Sequence, residues 1–305
     1  MERASDFDNE DIDERLRYFT YIPKDVYPEV AMSLFFIAAV ILVWQIVHYR
    51  AQRWLYILPG TALAEAIGYA VRIVCIHQMS FAAYVVMTLF LLVPVNALAL
   101  ANYKAVAVVI RERQGPKERF FFLRPRFVTW FYFSSDIFSI AMQGAGGGMM
   151  TGDDDTRDVG KVIVLIGLIV QLFFFSCFLA TCVYVWRNPE YNVHVSKCDR
   201  NQRFAKMRVL GAVSATTVLI YLRSIYRIAE FADGYGGKIY SAEWAFYVFD
   251  AILIFLAFVV YIVVFIGHNF PRRVHGRISS PEDGNAPAGS SMHLVYKEEY
   301  PQPSV

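Results

Sequence analysis

Apolar blocks of about twenty residues recur along the chain, separated by short polar connectors. A helix needs roughly 20 largely apolar residues to cross a bilayer. Seven stretches meet that length: 30–48, 55–76, 81–109, 127–146, 162–186, 209–229 and 242–266. The pattern predicts an all-α polytopic membrane protein with seven transmembrane helices. It divides the chain into an acidic N-terminal tail over 1–27, a membrane domain over 28–268 and a C-terminal tail over 269–305. Within that last tail the run SSPEDGNAPAGSS is too poor in apolar residues to fold on its own and has a disordered composition.

Charge then orients the helices. With the first connector on the inner side, the inner segments hold 18 Lys and Arg and the outer segments 7. Basic loops stay in the cytosol, so the N-terminus is expected outside and the C-terminus in the cytosol. The acidic connector GDDDTRD falls on the outer side, in agreement. The acidic start of the chain lacks the basic region and early apolar core of a signal peptide, so the first span is expected to act as the anchor.

Four Lys and Arg remain inside the spans: Arg72, Lys104, Arg223 and Arg227. A charge at the centre of a spanning helix costs about 2.5–3.5 kcal/mol on insertion scales, so partners are required. Helical spacing supplies them. Arg223, Arg227 and Glu230 lie on one face of the sixth span, and Glu65 with Arg72, Asp136 with Gln143, and Glu243 with Asp250 are each seven residues apart. Four helices thus carry polar stripes that should face one another rather than lipid. At 1.5 Å per residue, Arg72, Arg227 and Gln143 sit about 6–7 Å below the outer surface, with Glu230 and Glu243 shallower. Arg223 and Asp250 fall at about 12–13 Å, and Glu65, Asp136 and Gln171 at about 15–18 Å. Depth pairs Arg223 with Asp250, and Arg227 with Glu243 or Glu230. The five acids outnumber the three arginines, and a surplus carboxylate in a polar cavity can receive a cation, an amine or a proton. Lys104, at an inner end, is expected to snorkel. The glycine run Gly144–Gly148 with Met149–Met150 is expected to end the fourth helix at the outer mouth. The alternative is that its glycines permit close approach of a ligand or backbone.

Composition narrows the classes. Hydrophobic residues make up 56% of the 305 and charged residues 18%, and no basic run or motif of a nucleic-acid binder occurs. The cysteines Cys75, Cys177, Cys182 and Cys198 form no CxxC pair, and are expected to be small buried hydrophobes rather than metal ligands. All six histidines fall at helix ends, loops or tails, which disfavours haem ligation or a hydrolytic centre at depth. Neither GxxxxGK[ST] nor GxSxG is present, and no N-x-Ser/Thr acceptor occurs. No cofactor, no metal and no catalytic residue are expected.

Several motifs carry a family resemblance: Pro59–Gly60, ExxGYxxR at Glu65–Arg72, Pro94, DxxSxxxQGxG at Asp136–Gly146 and GLxxQ at Gly167–Gln171. The most specific is RSIYRxxEFxxGxxG at Arg223–Gly237, followed by ExxxYxxD at Glu243–Asp250. Over roughly 27–265 the chain resembles the fungal aminocholesterol-resistance family, also called the lipid-translocating exporter family. The resemblance implies a seven-helix fungal membrane protein. Members are associated with export of sphingoid long-chain bases, with resistance to amphiphilic sterol amines and azoles, and in one branch with porphyrin handling. The resulting expectation is translocation of amphipathic, cationic lipids at the plasma membrane, without an ATP site. Glu65, Asp136, Glu230, Glu243, Asp250, Gln143 and Gln171 would bind substrate or carry protons, and Arg72, Arg223 and Arg227 would act as gate and counter-ions. The alternative is a seven-helix lipid sensor that regulates lipid asymmetry or drug resistance indirectly. Partners would be membrane lipids, and the oligomeric state is open.

Overall fold

The computed structural model describes residues 26–78, 80–111, 124–150, 154–188, 191, 202–233 and 243–269. The acidic N-terminal tail, the disordered-composition C-terminal stretch and Cys198 lie outside these residues. Among the described residues there are seven long helices: α1 (Val26–His48), α2 (Ile57–His77), α3 (Phe81–Arg111), α4 (Pro125–Met149), α5 (Asp154–Arg187), α6 (Gln202–Asp233) and α7 (Glu243–Val263). A single 3₁₀ turn, Arg53–Tyr56, leads into α2. No strand occurs among the described residues. Six of the seven are long and apolar enough to span a bilayer. The exception is α4. It is 25 residues long, but Ser134, Ser135, Asp136, Ser139 and Gln143 dilute its hydropathy.

Apolar residues are packed on both sides of these helices, as in a chain solvated by lipid. Phe36, Ile37, Trp130, Phe138, Phe173 and Val263 face outward, while buried polar side chains gather inside. Successive helices are neighbours, α1 closes back onto α7, and α3 crosses the middle to reach α6. The wall formed by α3 and α6 divides the interior into two flanks, one bounded by α1, α2 and α7 and the other by α4 and α5. Aromatic contacts line both flanks. Phe35 of α1 stacks on Tyr69 of α2 at 5.6 Å and meets Phe258 of α7 edge-on at 5.9 Å. Across the wall, Tyr103 of α3 meets Phe178 of α5 at 4.6 Å.

Three features sharpen or depart from the sequence expectation. Helix α4 ends at Met149, just past its glycine run as expected, but Gly146 is also a packing residue. A Cβ there would stand 2.5 Å from the Gly160 carbonyl oxygen of α5, and a Cβ on Gly160 would stand 2.6 Å from that of Gly146. The backbones touch, and that contact compensates for glycine's poor helix propensity. Helices α5 and α6 also run past their apolar windows. The 34 residues of α5 span about 50 Å, well beyond a hydrocarbon core of about 30 Å. Finally, α7 is not uniformly α-helical: Tyr247–Ile252 forms a π segment. Cys75 and Cys182 are buried and Cys177 half-buried, all three as free thiols.

Candidate functional site

The first flank holds the charges. Glu65, Tyr69 and Arg72 recur at i, i+4 and i+7 on the buried face of α2, and Arg223, Arg227 and Glu230 do so on α6. The π segment of α7 supplies Tyr247 and Asp250, both buried. Such segments adopt an i→i+5 register and are frequent at functional sites. Here it brings the phenol and the carboxylate, three residues apart, to one inner face.

Arg223 and Asp250 form an ion pair, Nε to Oδ1 at 2.8 Å, with side chains 6% and 5% exposed. The angles fall short of a hydrogen bond at both atoms, so the contact is chiefly Coulombic. The Arg223 Nη2 donates to the Leu91 carbonyl of α3 at 3.2 Å. Pro94 lies inside α3 three residues further on. It has no N–H to give to the Phe90 carbonyl, and its ring loosens the preceding turn next to Leu91. One turn further along α6, Arg227 Nη1 donates to Glu230 Oε2 at 2.7 Å, and its guanidinium lies 5.0 Å from the Phe231 ring. Both depth pairings therefore form, with Glu230 rather than Glu243 serving Arg227. Glu243 is half-buried at the start of α7. Arg72 is held by aromatic groups of α7: its Nε donates to the Tyr247 hydroxyl at 3.1 Å, and its guanidinium lies 4.5 Å from the Phe246 ring. Such cation–π contacts are worth more when desolvated.

Glu65 stands apart. It is 3% exposed, lies within Coulombic range of Arg223 and Asp250, and its Oε1 has no hydrogen-bond partner. Leaving such an atom unpaired in a dry interior is costly, so it marks a place where the cluster is incomplete. On the outer surface of the same helix an apolar groove of about 330 Å³ runs between α1 and α2, lined by Met32, Phe36, Ile37, Leu63, Ile67 and Ala70.

The second flank holds amides and hydroxyls. Gln143 of α4 donates to Gln171 of α5 at 3.0 Å, and Gln171 donates to Asn96 of α3 at 2.5 Å. Asn96 in turn donates to its own helix at the Leu92 carbonyl, 3.1 Å away. Asp136 and Ser139 lie below this relay on the same face of α4, beside Tyr103 of α3. The four polar stripes thus do not meet in one cavity. Those of α2, α6 and α7 converge, whereas that of α4 faces α3 and α5, because α4 has no substantial contact with α2, α6 or α7. Replacing Gln171 with Leu removes the middle of the relay and orphans two buried amides. A loss of about 1 kcal/mol is expected, read as a lower Tm in detergent.

Sequence reasoning missed Asn96 and Tyr103, had Ser139 only as a motif position, and missed a third network altogether. Asn102 of α3 donates to Thr217 of α6 at 2.9 Å and accepts from Thr216 and from the Tyr261 hydroxyl of α7. The available signal was a lone asparagine in the middle of an apolar span, a residue type that membrane helices use to bond across interfaces.

The comparisons fit this arrangement. Residues 57–273 match the family model described as RTA1 like protein, which covers α2 to the end of α7. The chain belongs to the RTA1-like family. Relatives from Saccharomyces cerevisiae include Protein RTM1, 31% identical over 206 residues, which is 66% of this chain and 63% of the relative. Protoporphyrin uptake protein 1 is 29% identical over 203 residues, 66% of this chain and 65% of the relative. The sphingoid long-chain base transporter RSB1 is 22% identical over 185 residues, 49% of this chain and 47% of the relative. The matched stretch covers less than two thirds of each relative. In this RTA1-like protein the charged side chains of the first flank lie wholly within the family match, while α1, which bounds that flank, precedes it.

Proposed function

We propose that this RTA1-like protein carries amphipathic molecules with a cationic head, sphingoid long-chain bases foremost, between the leaflets of the plasma membrane. The observation that carries the reading is Glu65. It is a buried carboxylate with an unpartnered oxygen, set beside an arginine that is already paired with Asp250. An ammonium head would complete that cluster, since it brings the charge and the donors that Glu65 lacks. The apolar groove between α1 and α2 offers the tail an apolar surface at the depth of lipid chains. In the orientation set by the loop charges, N-terminus outside and C-terminus in the cytosol, the cluster lies in the outer half of the bilayer. Relatives named for sphingoid-base transport and for protoporphyrin uptake support movement of amphiphiles. They leave several head groups open. With no ATP-binding motif in the sequence, the driving force comes from a gradient or a partner.

Leaflet exchange of a fluorescent sphingoid base in liposomes tests the reading. Purified protein should accelerate exchange over protein-free liposomes. Glu65→Gln should slow it at least tenfold, roughly the loss of one charge-assisted hydrogen bond, with Tm retained. Wild-type protein inactive under every imposed gradient would favour a sensor, and a chemically altered lipid in the mass spectrum would favour an enzyme.

A further inference from the structure

The three helices that hold the Arg223–Asp250 pair are fastened together a second time, further inward. At the outer fastening stand the Leu91 carbonyl of α3, Arg223 of α6 and Asp250 of α7. At the inner one, Asn102 Nδ2 donates to Thr217 Oγ1 at 2.9 Å, and its Oδ1 accepts from Thr216 Oγ1 at 3.2 Å and from the Tyr261 hydroxyl. One amide thus joins α3 to both α6 and α7. Leu91 and Asn102 are eleven residues apart, as are Asp250 and Tyr261, while Arg223 and Thr216 are seven apart. These are close to whole numbers of turns, so each helix uses one face for both fastenings, about 10–16 Å apart. The side chains between them, Val95, Leu98, Ile220, Ile254 and Ala257, are apolar and at most 2% exposed.

A dry apolar layer closed by hydrogen bonds is a barrier to a charged head group. For such a head to pass between the Glu65 cluster and the cytosolic side, α3, α6 and α7 must part there. The inner bonds suit reversible opening. Thr217 also donates to the Val213 carbonyl of its own helix at 2.7 Å, and Thr216 has the Ala212 and Val213 carbonyls at 3.0 Å. The Tyr261 hydroxyl lies 3.5 Å from Thr216 Oγ1, close enough to turn to it. When Asn102 withdraws, the three hydroxyls keep partners and its amide alone is left to find new ones. The outer fastening has no such reserve, because breaking it strands two buried charges. Of the two, the inner one is built to open.

We propose that Asn102, with Thr216, Thr217 and Tyr261, latches an inner gate that seals the charged flank from the cytosol. Asn102 is a positioning residue: it acts by holding α3 to α6 and α7, not by touching the substrate. The gate rests on the amphiphile reading for the pathway it closes, and on the loop charges for which end is cytosolic. While the latch is made, a head group at Glu65 leaves toward the outer side.

The test uses the full chain with its four native cysteines replaced by alanine and one cysteine placed in the apolar layer, Leu98→Cys. Sealed vesicles of both orientations receive a membrane-impermeant cationic thiol reagent, and labelling is followed by mass spectrometry. With the latch intact, labelling from the cytosolic side should be slow. A hydrogen bond between helices in lipid shifts an equilibrium by about threefold on average and about twentyfold at most. Asn102→Ala should therefore raise cytosolic labelling by about tenfold or more and Tyr261→Phe by about threefold, with labelling from outside unchanged. Tyr261→Phe removes one oxygen from a packed ring and decides the matter if Asn102→Ala does not fold. Unchanged cytosolic labelling in both variants overturns the gate. An equal rise from both sides does so too, since it marks a loosened bundle. Leaflet exchange without side-specific labelling sinks the gate alone. Side-specific labelling without exchange sinks the amphiphile reading and leaves the inner closure standing.

Discussion

Arg223→Ala is expected to destabilise the protein by about 3–5 kcal/mol, the range for breaking one side of a buried ion pair. The substitution leaves the Asp250 carboxylate buried without its partner at 2.8 Å and removes the donor to the Leu91 carbonyl. Both residues are buried, Asp250 at 3% and Leu91 at 6% exposure. Asp250→Ala should cost a comparable amount, since it strands the guanidinium instead. The pair Arg223→Leu with Asp250→Leu should recover much of the loss, because a buried pair replaced by apolar groups of similar size is often neutral. The measurement is a double-mutant cycle on Tm or on denaturant resistance in detergent. Additive single and double effects would show that the two side chains do not interact, and the arrangement of the first flank would have to be redrawn. A charge swap, Arg223→Asp with Asp250→Arg, should rescue only in part, since an aspartate at 223 cannot donate to Leu91.

The second large effect is expected within α4, from two glycines two residues apart on opposite faces of the helix. Gly146→Leu should cost more than about 3 kcal/mol, at or beyond the usual range for overpacking. Its Cβ would meet the Gly160 carbonyl oxygen at 2.5 Å and Val164 Cγ2 at 2.7 Å. The first of these is backbone and cannot swing aside, so α4 and α5 must separate along their whole contact. Gly144→Leu is the control. Nothing lies within 4 Å of a Cβ there, the position faces outward, and the added side chain enters lipid while raising helix propensity. Expression and monodispersity in detergent should be normal for Gly144→Leu and poor for Gly146→Leu. Equal behaviour of the two variants would mean that α4 and α5 do not touch at Gly146.

Much of this molecule was legible before any coordinates. Length and hydropathy delimit the helices because a bilayer imposes one thickness on all of them. The partners of Arg223 and Arg227 follow from depth, since a charge in hydrocarbon has few alternatives and a straight helix converts residue number into height. What depth cannot give is azimuth. Asp136, Gln143 and Gln171 have the right heights to join the arginines, yet they face the other side of α3. Which stripe meets which depends on the order in which the helices close, and the period of the sequence does not encode that order. The π segment of α7 is hidden for another reason: YVFDAI carries no glycine or proline to signal a change of register. The glycines of α4 carry two meanings at once: the helix ends just past them, at Met149, and Gly146 is also a backbone contact that their count alone does not reveal.

Helix α3 is the partition between the two flanks, and each flank is fastened to it: the Leu91 carbonyl holds Arg223 on one side and Asn96 holds Gln171 on the other. The two anchor points are five residues apart, about 7–8 Å along the helix. A piston or rotation of α3 large enough to release one bond therefore strains the other. Events on the two sides then obey thermodynamic reciprocity. A molecule that displaces α3 when it enters the charged flank changes affinity on the amide flank by some factor, and an occupant of the amide flank returns the same factor.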